Sequence, residues 1–309
     1  MKVIIPVAGE GTRLRPHTYT MPKALLPVGG KPMLAHVLDQ ITALSFSEVV
    51  FIIGALGDQI KEYIEKNYNF KASFVEQKKY LGLGYAVYLG VIDTTEDVLV
   101  VLGDTITELD WQGLVGSDRN LLAIKEVDDA RAFGVAEVEG DRIIRLVEKP
   151  EKPPSNLAVI GVYYIKDTAQ FYECLDKIVK QGITTHGEIQ LTDAFDLFLK
   201  EGGSLYTFPT TGWHDCGNVE TILATNRHLL SKNQEAVKRE GSIIVPPSLV
   251  DPSAQVERSI IGPYVSLGPE TVVRNSIISD SIIFAGAHID SAVVAGSLIG
   301  RDVIVRGNT

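Results

Sequence analysis

Cysteine is almost missing from this chain. Cys174 and Cys216 are the only two in 309 residues, which excludes a disulfide framework. Long apolar runs are missing as well: none reaches the roughly 18–20 residues of a membrane span, so no transmembrane helix is expected. Met1 runs straight into β-branched residues rather than into a secretory leader, and a reducing cytoplasm is the expected setting. Positive charge is in short supply, with 29 basic against 39 acidic residues and a net charge of −10. A general basic face for nucleic acid or anionic lipid is therefore excluded. What remains is 45% hydrophobic and 22% charged, a globular composition long enough for one large domain and one smaller one.

The scarce cations are unevenly spread. Residues 1–31 hold Lys2, Arg13, Arg15, Lys23 and Lys31 against the single acid Glu10, a local charge of +4 inside an acidic protein. Scattered lysines usually mark a solvated face. Here they alternate with glycine and proline in one loop, where side chains and backbone N–H groups converge on an anion. A polyanionic small molecule is the expected partner.

The first half alternates strand-length apolar runs, at residues 3–7, 48–53 and 98–102, with helical patterns. Leu34, Val37, Leu38, Ile41 and Leu44 recur at helical spacing, and Ile60, Tyr63 and Ile64 repeat it before a strand at 71–76. Such alternation predicts an α/β fold, a mostly parallel sheet flanked by helices, with right-handed crossovers. Strands then dominate residues 121–165. Helices at 168–179, 188–200 and 219–232 enclose one further strand at 205–209. The charged segment 231–241 has no apolar period and marks a boundary between domains 1–235 and 241–309. In the tail the period becomes six: Val250 and Val256, then Ile261, Leu267 and Val273, Ile283 and Ile289, Ile299 and Val305. Glycine, proline and small residues fill the gaps. A period of six predicts a short parallel β-helix of about three coils, one hexad to each flat side.

After the first strand comes Gly9-Glu10-Gly11-Thr12-Arg13-Leu14-Arg15-Pro16, followed by Pro22-Lys23. Leu14 stands where a dinucleotide fingerprint needs its third glycine, and no Gly-Lys-Ser/Thr completes a Walker loop. The set still suits phosphate. Glycines admit oxygens to backbone N–H groups, Arg13 forks across two of them, and Lys23 is a movable point charge. Each charge-assisted hydrogen bond contributes about 1.5–3 kcal/mol. Asp104 closes the strand at 98–102, and Asp215 lies in a turn between Trp213 and Gly217. Either alone reads as a turn residue. Brought together, the two carboxylates suit Mg²⁺, which takes oxygen ligands and keeps waters and substrate phosphates. No Ser-His-Asp pattern appears, and Cys216 reads as a packing residue.

The loop from Gly9 to Pro16, with Pro22-Lys23, resembles the signature of the sugar-phosphate nucleotidyltransferases, most closely the glucose-1-phosphate thymidylyltransferases. The likeness continues in order through Gln77, Leu81-Gly82, Gly103-Asp104, Val147-Glu148-Lys149-Pro150, the run from Gly187 to Ala194, and Trp213-His214-Asp215-Cys216-Gly217, covering residues 1 to about 230. The resemblance implies a Rossmann-like domain that condenses a nucleoside triphosphate, dTTP in the first instance, with glucose 1-phosphate and releases pyrophosphate. It implies Arg13 and Lys23 as catalytic residues and Mg²⁺ on Asp104 and Asp215. It gives Gly9, Gly11, Thr12, Gln77 and Gly82 to the nucleotide, and Gly134, Glu148, Lys149, Val159 and Gly161 to the sugar phosphate. Glu188 and Asp193 are read as the start of a helix, with capping roles. Three positions depart from the pattern: Thr105 for asparagine, Phe133 for tyrosine and Cys216 for threonine.

Gln77 both donates and accepts, which suits thymine and uracil alike, so a uridylyltransferase is the nearest alternative. A catalytically silent nucleotide-sugar sensor is a lower reading. So is an acyltransferase using His288, the one histidine of the tail. The resemblance implies a left-handed β-helix whose role is homo-oligomer assembly.

Overall fold

Nine strands rich in Val, Ile and Leu form the main sheet of the computed structural model, which describes residues 1–92, 94–232 and 238–307. Of the expected boundary segment, residues 233–237 lie outside the described residues. The chain groups into two units, Met1–Glu10 with Val37–Trp213, and Gly11–His36 with His214–Thr309.

The sheet belongs to the first unit. Its strands are β1 (Lys2–Pro6), β2 (Glu48–Ile53), β3 (Ala72–Glu76), β4 (Val98–Val101), β5 (Leu121–Glu126), β6 (Gly134–Glu139), β7 (Arg142–Glu148), β8 (Leu157–Ile165) and β9 (Leu205–Pro209). They lie in the order β3-β2-β1-β4-β8-β5-β9-β7-β6. The first four are mutually parallel. From β8 onward the sheet is mixed: β8 runs antiparallel to both β4 and β5, β9 is parallel to β5, and β6 and β7 form an antiparallel pair.

Helices follow where apolar residues take helical spacing: α1 (Met33–Ile41), α2 (Gly57–Asn67), α3 (Leu83–Val91), α4 (Trp111–Val115), α5 (Thr168–Gln181), α6 (Leu191–Lys200) and α7 (Val219–Ser231). The short helix α4 and the strands Thr105–Glu108 and Gly212–Asp215 were not expected from the apolar pattern, being too brief to show a period. Gly90 lets α3 lie directly on β1, since a Cβ there would come 2.7 Å from Ile4 Cγ2. Tyr163, Phe195 and Phe171 stack in sequence behind the sheet, at 5.3 and 4.8 Å between ring centroids. Burying each aromatic contributes about 1.5–3 kcal/mol. No helix among the described residues is long and apolar enough to cross a membrane.

In the second unit the hexad residues point inward. Ile261, Leu267, Val273, Ile278, Ile283 and Ile289 are all essentially inaccessible to solvent. Three parallel sheets of four strands each enclose them, so the β-helix has four coils rather than about three. The sequence count falls short because Ile278 and Val294 lie five, not six, residues after Val273 and Ile289 and so break the period, and because Ile244 lies ahead of its first counted member, Val250. One row of corners turns on residues of positive φ, at Arg258, Asn275 and Ser291 (46°, 48° and 51°). Just beyond that corner, Ser242, Ser259 and Ser276 hydroxyls each accept an N–H from the next coil at 3.1–3.2 Å. The serines thus satisfy backbone donors that a bend would otherwise strand.

Candidate active site

Parallel strands end on one edge, and open sheets bind ligands there. β1, β3 and β4 deliver Gly9, Gln77 and Asp104 to that edge. Gln77 is 5% exposed, so it is not a surface glutamine; its Nε2 donates to the Gly82 carbonyl at 3.3 Å. Gly82 has φ 110°, and a Cβ would lie 2.6 Å from the Ile189 carbonyl. The Ile189 N–H donates to Leu81 O at 2.7 Å, and Gly84 N–H to Ile189 O at 2.8 Å. The segment 187–190 is therefore a clasp on the start of α3. Glu188 pairs with Thr185 in an isolated bridge, three residues before α6 begins, so the expected helix start there is corrected to Leu191. Short reciprocal hydrogen bonds hold this segment outside the helix.

A second cluster surrounds Glu148. Its carboxylate accepts the Thr192 hydroxyl at 2.9 Å. Gly134 faces both: a Cβ there would meet Thr192 Cγ2 at 2.7 Å and Glu148 Oε2 at 3.2 Å. Lys149 is held at φ 40°, its N–H donates to Phe133 O at 3.0 Å, and its Nζ lies 3.4 Å from Glu148 Oε1. Phe133 meets Trp213 edge to face at 4.8 Å. Val159 lies in β8, and Gly161 packs on Leu102, whose N–H donates to Gly161 O at 2.9 Å. That contact fixes the residue two before Asp104. Nearby, burial pushes the Asp193 carboxyl above its usual range, the Glu148 charge adds to this, and the Thr185 hydrogen bond opposes it. The ionised form is thus disfavoured there.

The second unit carries the signature loop from Gly11 onward. Gly11 adopts φ 61° and lies against Lys23; a Cβ would come 2.9 Å from Thr18 Cγ2 and 3.1 Å from Lys23 Cβ. The Thr18 hydroxyl donates to Gly11 O at 2.9 Å, which closes the loop on itself. Thr12 and Arg13 are exposed on a single 3₁₀ turn, Thr12–Leu14, that starts from this glycine. At Gly217 a Cβ would lie 2.7 Å from Asp215 Oδ2 and 3.4 Å from Arg13 Nη2. Arginine and carboxylate, 202 residues apart in sequence by the difference of their numbers, thus both flank one glycine. Cys216 is buried, with its thiol 3.7 Å from Thr225 Oγ1, as expected of a packing residue.

Residues 2–232 match the family model described as nucleotidyl transferase. The chain belongs to the nucleotidyl transferase family. The enzyme is 30% identical to a glucose-1-phosphate thymidylyltransferase of Streptomyces griseus, over 99% of this chain and 93% of that protein. It is 30% identical to the bifunctional protein GlmU of Methanocaldococcus jannaschii, over 100% of this chain and 80% of that protein. Among solved structures it is similar to a UDP-glucose pyrophosphorylase complexed with UDP-glucose, with TM-score 0.66 and 28% identity over 75% of this chain and 99% of that one.

Thr192 was missed by sequence reasoning. It lies in a quoted motif, but nothing in its spacing signals a bond to Glu148, 44 residues away. The stacked rings of His214 and His228, 3.8 Å apart, were likewise invisible. Gly217 leaves no room for a side chain beside the Asp215 carboxylate. Gly217→Ala is expected to push Asp215 aside and lower turnover roughly 10–100-fold with little change in melting temperature. Steady-state kinetics beside a thermal melt checks both halves of that expectation.

Proposed function

We propose that this nucleotidyltransferase joins a nucleoside triphosphate to a hexose 1-phosphate, with dTTP and glucose 1-phosphate as the preferred pair. A phosphate oxygen of the sugar phosphate attacks the α-phosphorus, the bond from α-phosphorus to the β-bridging oxygen breaks, and pyrophosphate leaves with the electron pair. The protein's part is positioning and charge stabilisation; it supplies no nucleophile. The observation that supports this reading is that Arg13 and Asp215 both flank Gly217, a cation for phosphate near an acid suited to a metal.

In this reading Gly9, Gly11 and Thr12 line the triphosphate, Arg13 stabilises it and the departing pyrophosphate, and Lys23 spans the reacting phosphates. Buried Gln77, tied to Gly82, reads the base edge with its remaining amide groups. Glu148 takes sugar hydroxyls and Lys149 the sugar phosphate, with Gly134, Val159 and Gly161 shaping the hexose pocket. Enzymes of this family generally use a divalent metal, and we assign Mg²⁺ to Asp104 and Asp215. Both offer hard carboxylate oxygens, which fit it; when bound, Mg²⁺ neutralises phosphate charge. UTP in place of dTTP is the second reading, favoured by likeness to the UDP-glucose pyrophosphorylase. The cytoplasm is the proposed location.

We also propose that copies associate through the β-helix. One outward row, Ile243, Ile260, Ile277 and Val293, stacks in register over four coils. These residues are 60%, 37%, 46% and 79% exposed, an apolar ladder without charge. The neighbouring face alternates Glu257, Arg274, Asp290 and Arg306, and carries exposed His288.

Pyrophosphate release measured across dTTP, UTP, CTP, ATP and GTP with glucose 1-phosphate is expected to be fastest with dTTP. Asp215→Asn is expected to lower turnover at least ~100-fold at fixed Mg²⁺. Full activity and unchanged Mg²⁺ dependence in that variant would refute the metal assignment. For assembly, sedimentation of wild type should give more than one chain mass, and Ile277→Lys should reduce it. A monomeric wild type defeats this second proposal.

A further inference from the structure

Asn226 has no exposed surface, although it sits within α7 where asparagine is a poor helix former. Its carboxamide is used three times. Oδ1 accepts the Gly29 N–H at 2.9 Å and the Ser266 hydroxyl at 2.7 Å, and Nδ2 donates to the Tyr264 carbonyl at 3.3 Å. The first bond ends on the turn of the hairpin that follows the signature loop; the other two end on the second coil of the β-helix. The helix itself is fixed to a later corner by the Arg227–Asp280 ion pair.

Gly29 and Gly30 form the turn of a two-stranded hairpin, Pro27–Val28 against Lys31–Pro32, with φ of 56° and 89°. Positive φ at both centres is the hairpin geometry that favours glycine. The chain closes on this turn from two sides. A Cβ at Gly29 would lie 2.8 Å from Leu229 Cδ1, and one at Gly30 2.9 Å from Leu249 Cδ1. Behind the turn, packing gives way to a cavity of about 220 Å³ lined by Met21, Leu25, Pro27, Leu267 and Phe284. The hairpin is therefore gripped at its tip, over a void. Its other end begins at the turn Lys23–Leu25, where Leu26 N–H donates to Lys23 O at 3.0 Å.

Apolar side chains alone, such as Leu229 and Leu230, would join α7 to its neighbours without burying an amide, which costs free energy unless fully bonded. What the amide adds is direction, toward one backbone N–H of the hairpin. We propose that Asn226, backed by Ser266, is a positioning residue that fixes the Gly29 turn and hence the loop carrying Lys23. The β-helix is then part of the triphosphate grip and not only an assembly module. This rests on the role given above to Arg13 and Lys23.

The test uses the full-length protein and varies each substrate in turn. Asn226→Leu leaves the Gly29 N–H and the Ser266 hydroxyl unpaired; Ser266→Ala removes only the backing; Ser266→Thr keeps a hydroxyl. The triphosphate KM is expected to rise about tenfold in Asn226→Leu and about threefold in Ser266→Ala, with the sugar-phosphate KM unchanged and Ser266→Thr near wild type. A merely structural role lowers the folded fraction, so kcat falls while both KM values stay put. That pattern, or unaltered kinetics in all three variants, overturns the inference, and Ser266→Ala decides if Asn226→Leu does not fold. Amide exchange of residues 23–31, read without substrate, keeps this separate from the proposed activity. It should quicken in both disruptive variants, and unchanged exchange also overturns the inference.

Discussion

A triphosphate is a polyanion, and a chain of net charge −10 repels it except where cations are held close together. That constraint governs the arrangement of the site. Long, exposed cationic side chains lose rotamer freedom on binding, so a loop that already fixes their backbones binds more tightly. Gly11 in the left-handed region, packed on Lys23 and bonded through Thr18, is such a fixture. Arg13 then stands one residue beyond Thr12 on a short turn, with Asp215 close by. Acid beside arginine looks self-defeating for anion binding, but it suits a site where phosphate arrives with a divalent cation.

The loop is made rigid by residues far away in sequence. Residues 11–36 belong to the same unit as the β-helix, and the contacts there are specific: Asn226 on Gly29, Leu249 on Gly30, and Phe284 beside His17 at 5.3 Å. Four coils stiffened by inward aliphatics and corner serines make a firm anvil for a hairpin that has a void behind it. The first unit contributes a different kind of order. Its parallel strands gather Gly9, Gln77 and Asp104 on one edge, while the clasp at Ile189 shapes Gly82 and the Thr192–Glu148 bond orients the carboxylate beside Lys149.

Much of this was legible in the residues. Strand-length Val/Ile runs marked β1, β2 and β4, and the six-residue period marked the β-helix, because both patterns are imposed by burial along a regular backbone. The antiparallel entry of β8 was not legible, since a buried strand reads alike in either direction. The count of coils fell short by one because Ile278 and Val294 lie at spacings of five that break the period, and Ile244 precedes its first member. Gln77 was assigned to the nucleotide through the resemblance, but its burial and its bond to the Gly82 carbonyl carry no sequence signal. Asn226 left no trace at all: one polar residue in a helix is unremarkable until its three partners, from loop and coil, are seen around it. Long-range polar contacts carry no period, and only the folded chain reveals them.

The most direct trial of the central claim is calorimetric binding of a non-hydrolysable dTTP analogue with Mg²⁺, comparing wild type with the Arg13→Ala, Lys23→Ala double variant. The account predicts at least ~100-fold weaker binding in the variant, from the loss of two charge-assisted contacts. Equal affinity in the two proteins, both folded, would contradict it.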